Sequence, residues 1–414
     1  MDEMHIFVPG DGLCSTHVTW DDIEKDMQLS LNTSARFGPN KNVKDIGDGK
    51  GFMSKILLVD PDWQPQQEEL PKNFVVKILT QLAMQKLSSS VSRDKGSFTD
   101  LDFMITYEAL QKRCHNAEIA AYKQLAKIPS GLLEIPKIYS MKKFTESNLA
   151  KGYIIMEFYK DMNGAELHRN VTPDSLKPVL RYLAIMTANS LDAMEEEKED
   201  FHRTPFIDIW GSEFIVQMTN QMLSALGSWE NGRFMERVDR MQSISDELYD
   251  FHRVDKLAEE CGMKRVLCHG DLWTGNMLWT SKGDDLQFFT VLDFQASHYG
   301  CTATDFVRLF AVGLSGADRR KHWEELVEVF YQYLQEHIGT RPMPYTLEQL
   351  KEAYRRFFPV GAAMIVPYIA PMFSAVVKDA TEVERQKVIE KTECLLDDMF
   401  ECYERNVKLK GETG

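Results

Sequence analysis

The chain has 414 residues, enough for two lobes with sizeable cores, and its 43% hydrophobic and 27% charged residues argue against extended disorder. A formal net charge of −15 excludes a general binder of nucleic-acid backbone, which needs clustered Lys and Arg to displace counterions. Seven cysteines without Cys-x-x-Cys spacing point to reduced thiols and a cytoplasmic setting, not to a disulfide framework or a zinc site.

The opening Met1-Asp2-Glu3-Met4-His5 has neither the positive charge nor the apolar run of a secretory signal. Thr19 is placed to cap a helix in which Ile23, Met27 and Leu31 share a face. Ile46 to Ser54 then carries Gly47, Gly49 and Gly51 at alternate positions before a strand pattern that runs to Val59, so backbone amides could approach a phosphate there. A glycine-rich hairpin turn explains the same residues, and the Gly-x-x-x-x-Gly-Lys pattern of a P-loop is absent. Residues 60 to 71, rich in Pro and Gln, read as a connecting loop, and Phe74-Val75-Val76-Lys77-Ile78 as a strand. Leu87 to Asp100 reads as an exposed excursion, Asn116 to Leu125 as a helix and Lys151 to Phe158 as a returning strand.

A sheet-based lobe spanning 1–160 is therefore expected, followed by a mostly helical lobe over 161–414. Helical spacing marks Leu176 to Ser190, Phe214 to Leu226, Met235 to Leu257, His322 to Gln335 and Leu347 to Phe358. Residues 357 to 377 hold no charge, yet Pro359, Pro367 and Pro371 interrupt them, which favours buried helices over a membrane span. Only the interval from Arg265 to Phe294 departs from the helical pattern, with two strand-like runs.

That interval carries the chemistry. His269-Gly270-Asp271 is followed five residues after the aspartate by Asn276, and Val291-Leu292-Asp293 ends the next strand-like run. Asp271 can accept a proton from an attacking hydroxyl, while the Asn276 amide oxygen and the Asp293 carboxylate are hard oxygen ligands suited to Mg²⁺ on nucleotide phosphates. Each alone could be a turn or cap residue; together, beside apolar strands, they need a cation to offset their burial. Upstream, Lys77 sits among apolar neighbours and needs a reason to be there, either exposure on an edge strand or a nucleotide phosphate, with Glu118 as the aligning carboxylate. Glu157 and Phe158 follow a strand at the lobe boundary, where backbone groups could meet the adenine edge.

These residues, with His298, Gly300, Asp305 and Arg308 downstream, resemble the CHK kinase-like group, related to ecdysteroid kinases and more distantly to choline kinases and aminoglycoside phosphotransferases. His-Gly-Asp-Leu-Trp-x-x-Asn with Asp-Phe-Gln is the most specific part, and Gly270 and Gln295 differ from the residues of eukaryotic protein kinases. The resemblance implies an α+β, two-lobed protein-kinase-like fold with a small β-rich N-lobe and a larger mostly helical C-lobe, ATP as donor and a small-molecule alcohol as acceptor. It also implies Asp271 as base, Asn276 and Asp293 as metal ligands, Gly47, Gly49, Gly51, Ser54, Lys77 and Glu118 at the nucleotide phosphates, and Asp305 as a brace for the catalytic loop. No nucleic-acid, membrane-spanning or obligate protein partner is expected. A catalytically inert kinase-like binding protein is the alternative. Trp210, Phe214, Trp229, Phe234, Tyr299 and Trp323 are either cavity lining or ordinary core.

Overall fold

The computed structural model describes residues 5–47, 53–82, 101–166, 168–282, 285–377 and 380–413. The chain divides into two compact units, Met1–Ala120 with Ile135–Asp161, and Ala121–Glu134 with Met162–Gly414.

The first unit is built on a five-stranded sheet. Strands β2 (Asn42–Asp45), β3 (Ser54–Asp60), β5 (Phe74–Leu79), β7 (Tyr153–Glu157) and β6 (Ile138–Lys142) lie side by side in that order, each antiparallel to its neighbour. Side chains alternate between faces along a strand. Phe74, Val76 and Ile78 therefore share one face, and they join a core with Ile23 and Met27 of helix α1 (Trp20–Leu31). Thr19 and Asp22 close a reciprocal capping box at the start of α1, as the Thr19 pattern predicts. The opposite face of β5 presents Lys77, whose ammonium reaches Glu118 on helix α2 (Leu101–Leu125).

The loop expected over 60 to 71 contains a two-residue strand, β4 (Trp63–Gln64), paired with β1 (Arg36–Phe37). Helix α2 begins fifteen residues before Asn116, because Tyr107 and Cys114 bury on the same helix as Ile119 and Tyr122. Strand β6 was hidden from pattern reading, since its residues are uniformly half-buried or exposed and show no alternation. Gly49, Gly51 and the excursion over 87 to 100 lie outside the described residues.

The second unit is mainly helical: α3 (Pro173–Ser190), α4 (Glu213–Gly232), α5 (Met235–Ser243), α6 (Ala303–Gly313), α7 (Gly316–Ile338), α8 (Leu347–Ala363), α9 (Val366–Val376) and α10 (Glu382–Thr413). Its core includes Phe306, Phe310 and Phe330, with the Phe306 and Phe330 rings edge to face at 4.7 Å. The single helix expected from Met235 to Leu257 is instead α5 followed by separate short turns, Ser245–Leu248, Phe251–Val254 and Leu257–Glu260. Asp250 caps the second of these turns through the Arg253 amide, so a local hydrogen bond breaks the helix that hydrophobic spacing alone would continue. The uncharged stretch over 357 to 377 is split between α8 and α9, and no described helix is long and apolar enough to cross a membrane. All seven cysteines are free thiols.

Two small antiparallel ladders interrupt the helices: β8 (Val266–Cys268) with β11 (His298–Gly300), and the hairpin β9 (Met277–Lys282) with β10 (Asp285–Val291). They present the loop that follows β8 and the residues that follow β10. The architecture is α+β, as expected, with a small β-rich unit and a larger helical one.

Candidate active site

The segment from His269 to Asn276 leaves β8 and turns back into β9. Gly270 takes φ +83°, and a Cβ there would stand 2.0 Å from the Ala296 carbonyl oxygen, so no side chain fits. Gly275 is constrained differently, because its missing side chain leaves room for the Trp273 ring, 2.3 Å from where a Cβ would lie. Trp279 Nε1 and Ala165 N both donate to the Thr274 carbonyl, at 2.9 and 3.1 Å, and fix the turn that ends in Asn276.

Helix α6 holds the start of this loop. Asp305 accepts from the backbone amides of His269 at 2.7 Å and Gly270 at 2.9 Å, one carboxylate oxygen to each. One turn further along α6, Arg308 Nε lies 2.5 Å from Asp271 Oδ1. Residues three apart lie on one helix face, so a single turn of α6 grips three successive residues of the loop. Asp305 is the brace that the resemblance implies; the Arg308 contact went unassigned in the sequence. Its signal was there, since these are the two charged residues in the otherwise uncharged run from Ala303 to Gly313.

His269 is fully buried and ties the loop to the second motif. Its Nε2 lies 2.9 Å from the Leu292 carbonyl and its Nδ1 lies 3.2 Å from the Asp271 amide. A carbonyl only accepts and an amide only donates, so the ring is neutral with its proton on Nε2. Burial, which pulls its pKa below the ordinary histidine value, favours the same form. The Leu292 amide donates in turn to the Asn276 carbonyl at 2.8 Å. Leu292 is thereby attached to both ends of the Asp271 loop, and Asp293 follows it directly.

Asp271 has two different oxygens. Oδ2 accepts from Asn276 Nδ2 at 3.1 Å, while Oδ1 is in close charge contact with Arg308. Burial pushes this carboxyl above the ordinary range, Arg308 draws it down, and the neighbouring Asp293 pushes it up. The Asn276 amide nitrogen also donates to the Asp271 carbonyl at 2.9 Å, which fixes the flip of the amide and leaves its oxygen for another partner. Asp293 adopts φ +63°, a left-handed conformation uncommon for a residue with a side chain. Strain of this kind concentrates at functional sites.

In the first unit, Lys77 Nζ donates to both Glu118 oxygens, at 2.9 and 2.7 Å, with the two residues 7% and 1% exposed. The pair is a buried one on a central strand, so the edge-strand explanation for Lys77 is ruled out. Gly47 N donates to Asp45 Oδ1 at 3.0 Å and Ser54 opens β3, so both flank the glycine segment. Glu157 ends β7 with its amide donating to the Lys137 carbonyl at 2.9 Å, and Phe158 follows, half-buried. Of the aromatic set, Trp229 stacks on Phe234 and Trp323 on Tyr354, Tyr299 packs edge to face with Phe201, and Trp210 lies beneath the Arg308 guanidinium. The Phe214 side chain falls outside the described residues.

A family model described as "Uncharacterized oxidoreductase dhs-27" matches residues 6–407. The Caenorhabditis elegans "Uncharacterized kinase-like protein D1044.1" is 32% identical over 373 residues, covering 87% of this chain and 93% of the relative. The C. elegans "Uncharacterized oxidoreductase dhs-27" is 23% identical over 348 residues, and there the match covers 82% of this chain but 40% of the relative. Among solved structures, a choline kinase from Cryptosporidium parvum is similar at 13% identity and TM-score 0.48, covering 95% of this chain and 97% of that one. By the extent of the family-model match and the identity to its kinase-like relative, the chain belongs to DUF1679, a kinase-like family.

Proposed function

We propose that the protein is an ATP-dependent phosphotransferase that moves the γ-phosphoryl group to the hydroxyl of a small molecule, with Asp271 as the general base. One observation carries this reading. Asp271 is a largely buried carboxylate with one oxygen steadied by Asn276 and the other by the Arg308 guanidinium, an oriented group of the kind a base needs to receive a hydroxyl proton. The name of the 32% identical relative, a kinase-like protein, agrees with it.

Among the described residues no cluster of three or more His, Cys, Asp or Glu side chains could hold a metal by itself. Mg²⁺ does not require one, because it takes one or two protein oxygens and completes its shell with phosphate and water. Asn276 and Asp293 fit that donor set, and the repulsion between Asp271 and Asp293 is what a cation there would relieve. The ion would supply neutralisation of phosphate charge. Lys77, aligned by Glu118, would position the α- and β-phosphates; Gly47, Gly49, Gly51 and Ser54 would cover phosphate; the backbone at Glu157 and Phe158 would meet the adenine edge. Nucleotide binding thus falls to residues 1–160, and acceptor binding and catalysis to 161–414.

Arg308, Asn276 and Asp305 orient the base, so most of the rate would come from positioning and charge neutralisation. The word oxidoreductase in one relative's name belongs to a protein of which this chain matches 40%. A dinucleotide fold of the Rossmann type needs a parallel sheet, whereas every strand pair among the described residues is antiparallel. The test is Asp271→Asn. It should bind Mg·ATP with ordinary affinity by calorimetry, yet transfer labelled γ-phosphate into a metabolite extract about 10²–10⁴-fold more slowly. Unchanged transfer refutes the assignment of the base.

A further inference from the structure

We propose that Arg308 is a specificity-determining residue of the acceptor site, and that it restricts the acceptor to hydroxyl compounds carrying no positive charge near the reacting hydroxyl. The inference rests on the reading of Asp271 as base. A hydroxyl that gives its proton to Asp271 must come within hydrogen-bond distance of that carboxylate, roughly 3 Å. Arg308 Nε is 2.5 Å from Asp271 Oδ1, so the guanidinium borders the place where the acceptor reacts.

Two consequences follow from that position. The first concerns charge. Asp271 and Asp293 by themselves would make the site attractive to an ammonium, and Arg308 cancels that attraction at its nearest point. Side-chain exposures of 18% for Asp271 and 20% for Arg308 leave little water between acceptor and guanidinium to screen it. The second concerns the aromatic surface. The face of an indole is where a quaternary ammonium binds best, and the Arg308 guanidinium carbon already lies 5.2 Å from the centroid of Trp210. The protein's own cation occupies that indole face.

Arg308 is also held in place. It projects from the same face of α6 as Asp305, whose two backbone hydrogen bonds fix that turn of helix against the loop. A cationic acceptor could not swing the guanidinium aside without disturbing the contact that orients the base.

The experiment uses the full chain, Mg·ATP labelled at the γ-position, and a metabolite extract separated by ion exchange into cationic, neutral and anionic fractions. Choline and its neutral isostere, with carbon in place of nitrogen, serve as a matched pair. Label should enter the neutral or anionic fraction, and the isostere should outcompete choline for the acceptor site. Arg308→Met should move the choline-to-isostere ratio toward choline by about tenfold, and Arg308→Lys, which keeps the charge, should stay near the unaltered protein. Label mainly in the cationic fraction, or one common ratio across all three proteins, overturns the inference while leaving the phosphotransferase reading intact. If Arg308→Met does not fold, the fractions and the Lys variant decide. Absence of label from every fraction overturns the phosphotransferase reading itself, and the inference with it.

Discussion

At the scale of single residues, the candidate site depends on backbone conformations that side chains ordinarily avoid. Gly270 sits at φ +83° against the Ala296 carbonyl, and Asp293 holds φ +63° with its side chain retained. Gly270→Ala should therefore destabilise by about 3 kcal/mol or more, combining left-handed strain with a clash that only a backbone shift can relieve. Chemical denaturation measures the first effect. Because Asp271 is the next residue, phosphate transfer should also fall; a variant as stable and active as the parent would show that the loop can be drawn with a different turn.

Among elements, the informative object is strand β5. A lysine on a central strand is tolerated because Glu118 of α2 meets its ammonium at 2.7 Å. Breaking one half of a buried pair costs more than removing both, since the orphaned charge stays desolvated. Lys77→Met should lose about 3–5 kcal/mol of stability, and Lys77→Met with Glu118→Leu should recover much of it. If the pair positions nucleotide, the double variant will fold well and bind Mg·ATP poorly. Equal nucleotide affinity in parent and double variant would reduce the pair to a structural role.

For the whole molecule, two buried histidines in different units tie stability to pH. Burial holds His115 and His298 down at about 4, and each donates one ring N–H to a carbonyl, Lys142 and Ala296 respectively. A base whose folded pKa lies below its unfolded value of about 6.5 contributes stability that is present above that value and lost as pH falls through the folded one. Each should cost on the order of 3 kcal/mol between pH 6.5 and 4. Urea midpoints across that window, compared for His115→Gln, His298→Gln and the parent, check this: each substitution should flatten the acid side of the curve.

How much of this was legible depended on the range of the interaction involved. The capped first helix, the β5 strand, the His-Gly-Asp and Asp-Phe-Gln motifs and the kinase-like family were readable, because periodicity, caps and motif spacing are local properties of the chain. The interruption at Asp250, strand β6 and the early start of α2 were not, because a local cap, unpatterned exposure and tertiary burial override average spacing. The same division holds at the site. By itself the sequence determined which residues could act as base, ligand and brace, since that is a matter of side-chain chemistry. Only the tertiary structure decided that His269 is a neutral bridge to Leu292 and that Arg308 touches Asp271. Those contacts join residues remote along the chain, and distance between such residues is set by packing, which no local pattern encodes.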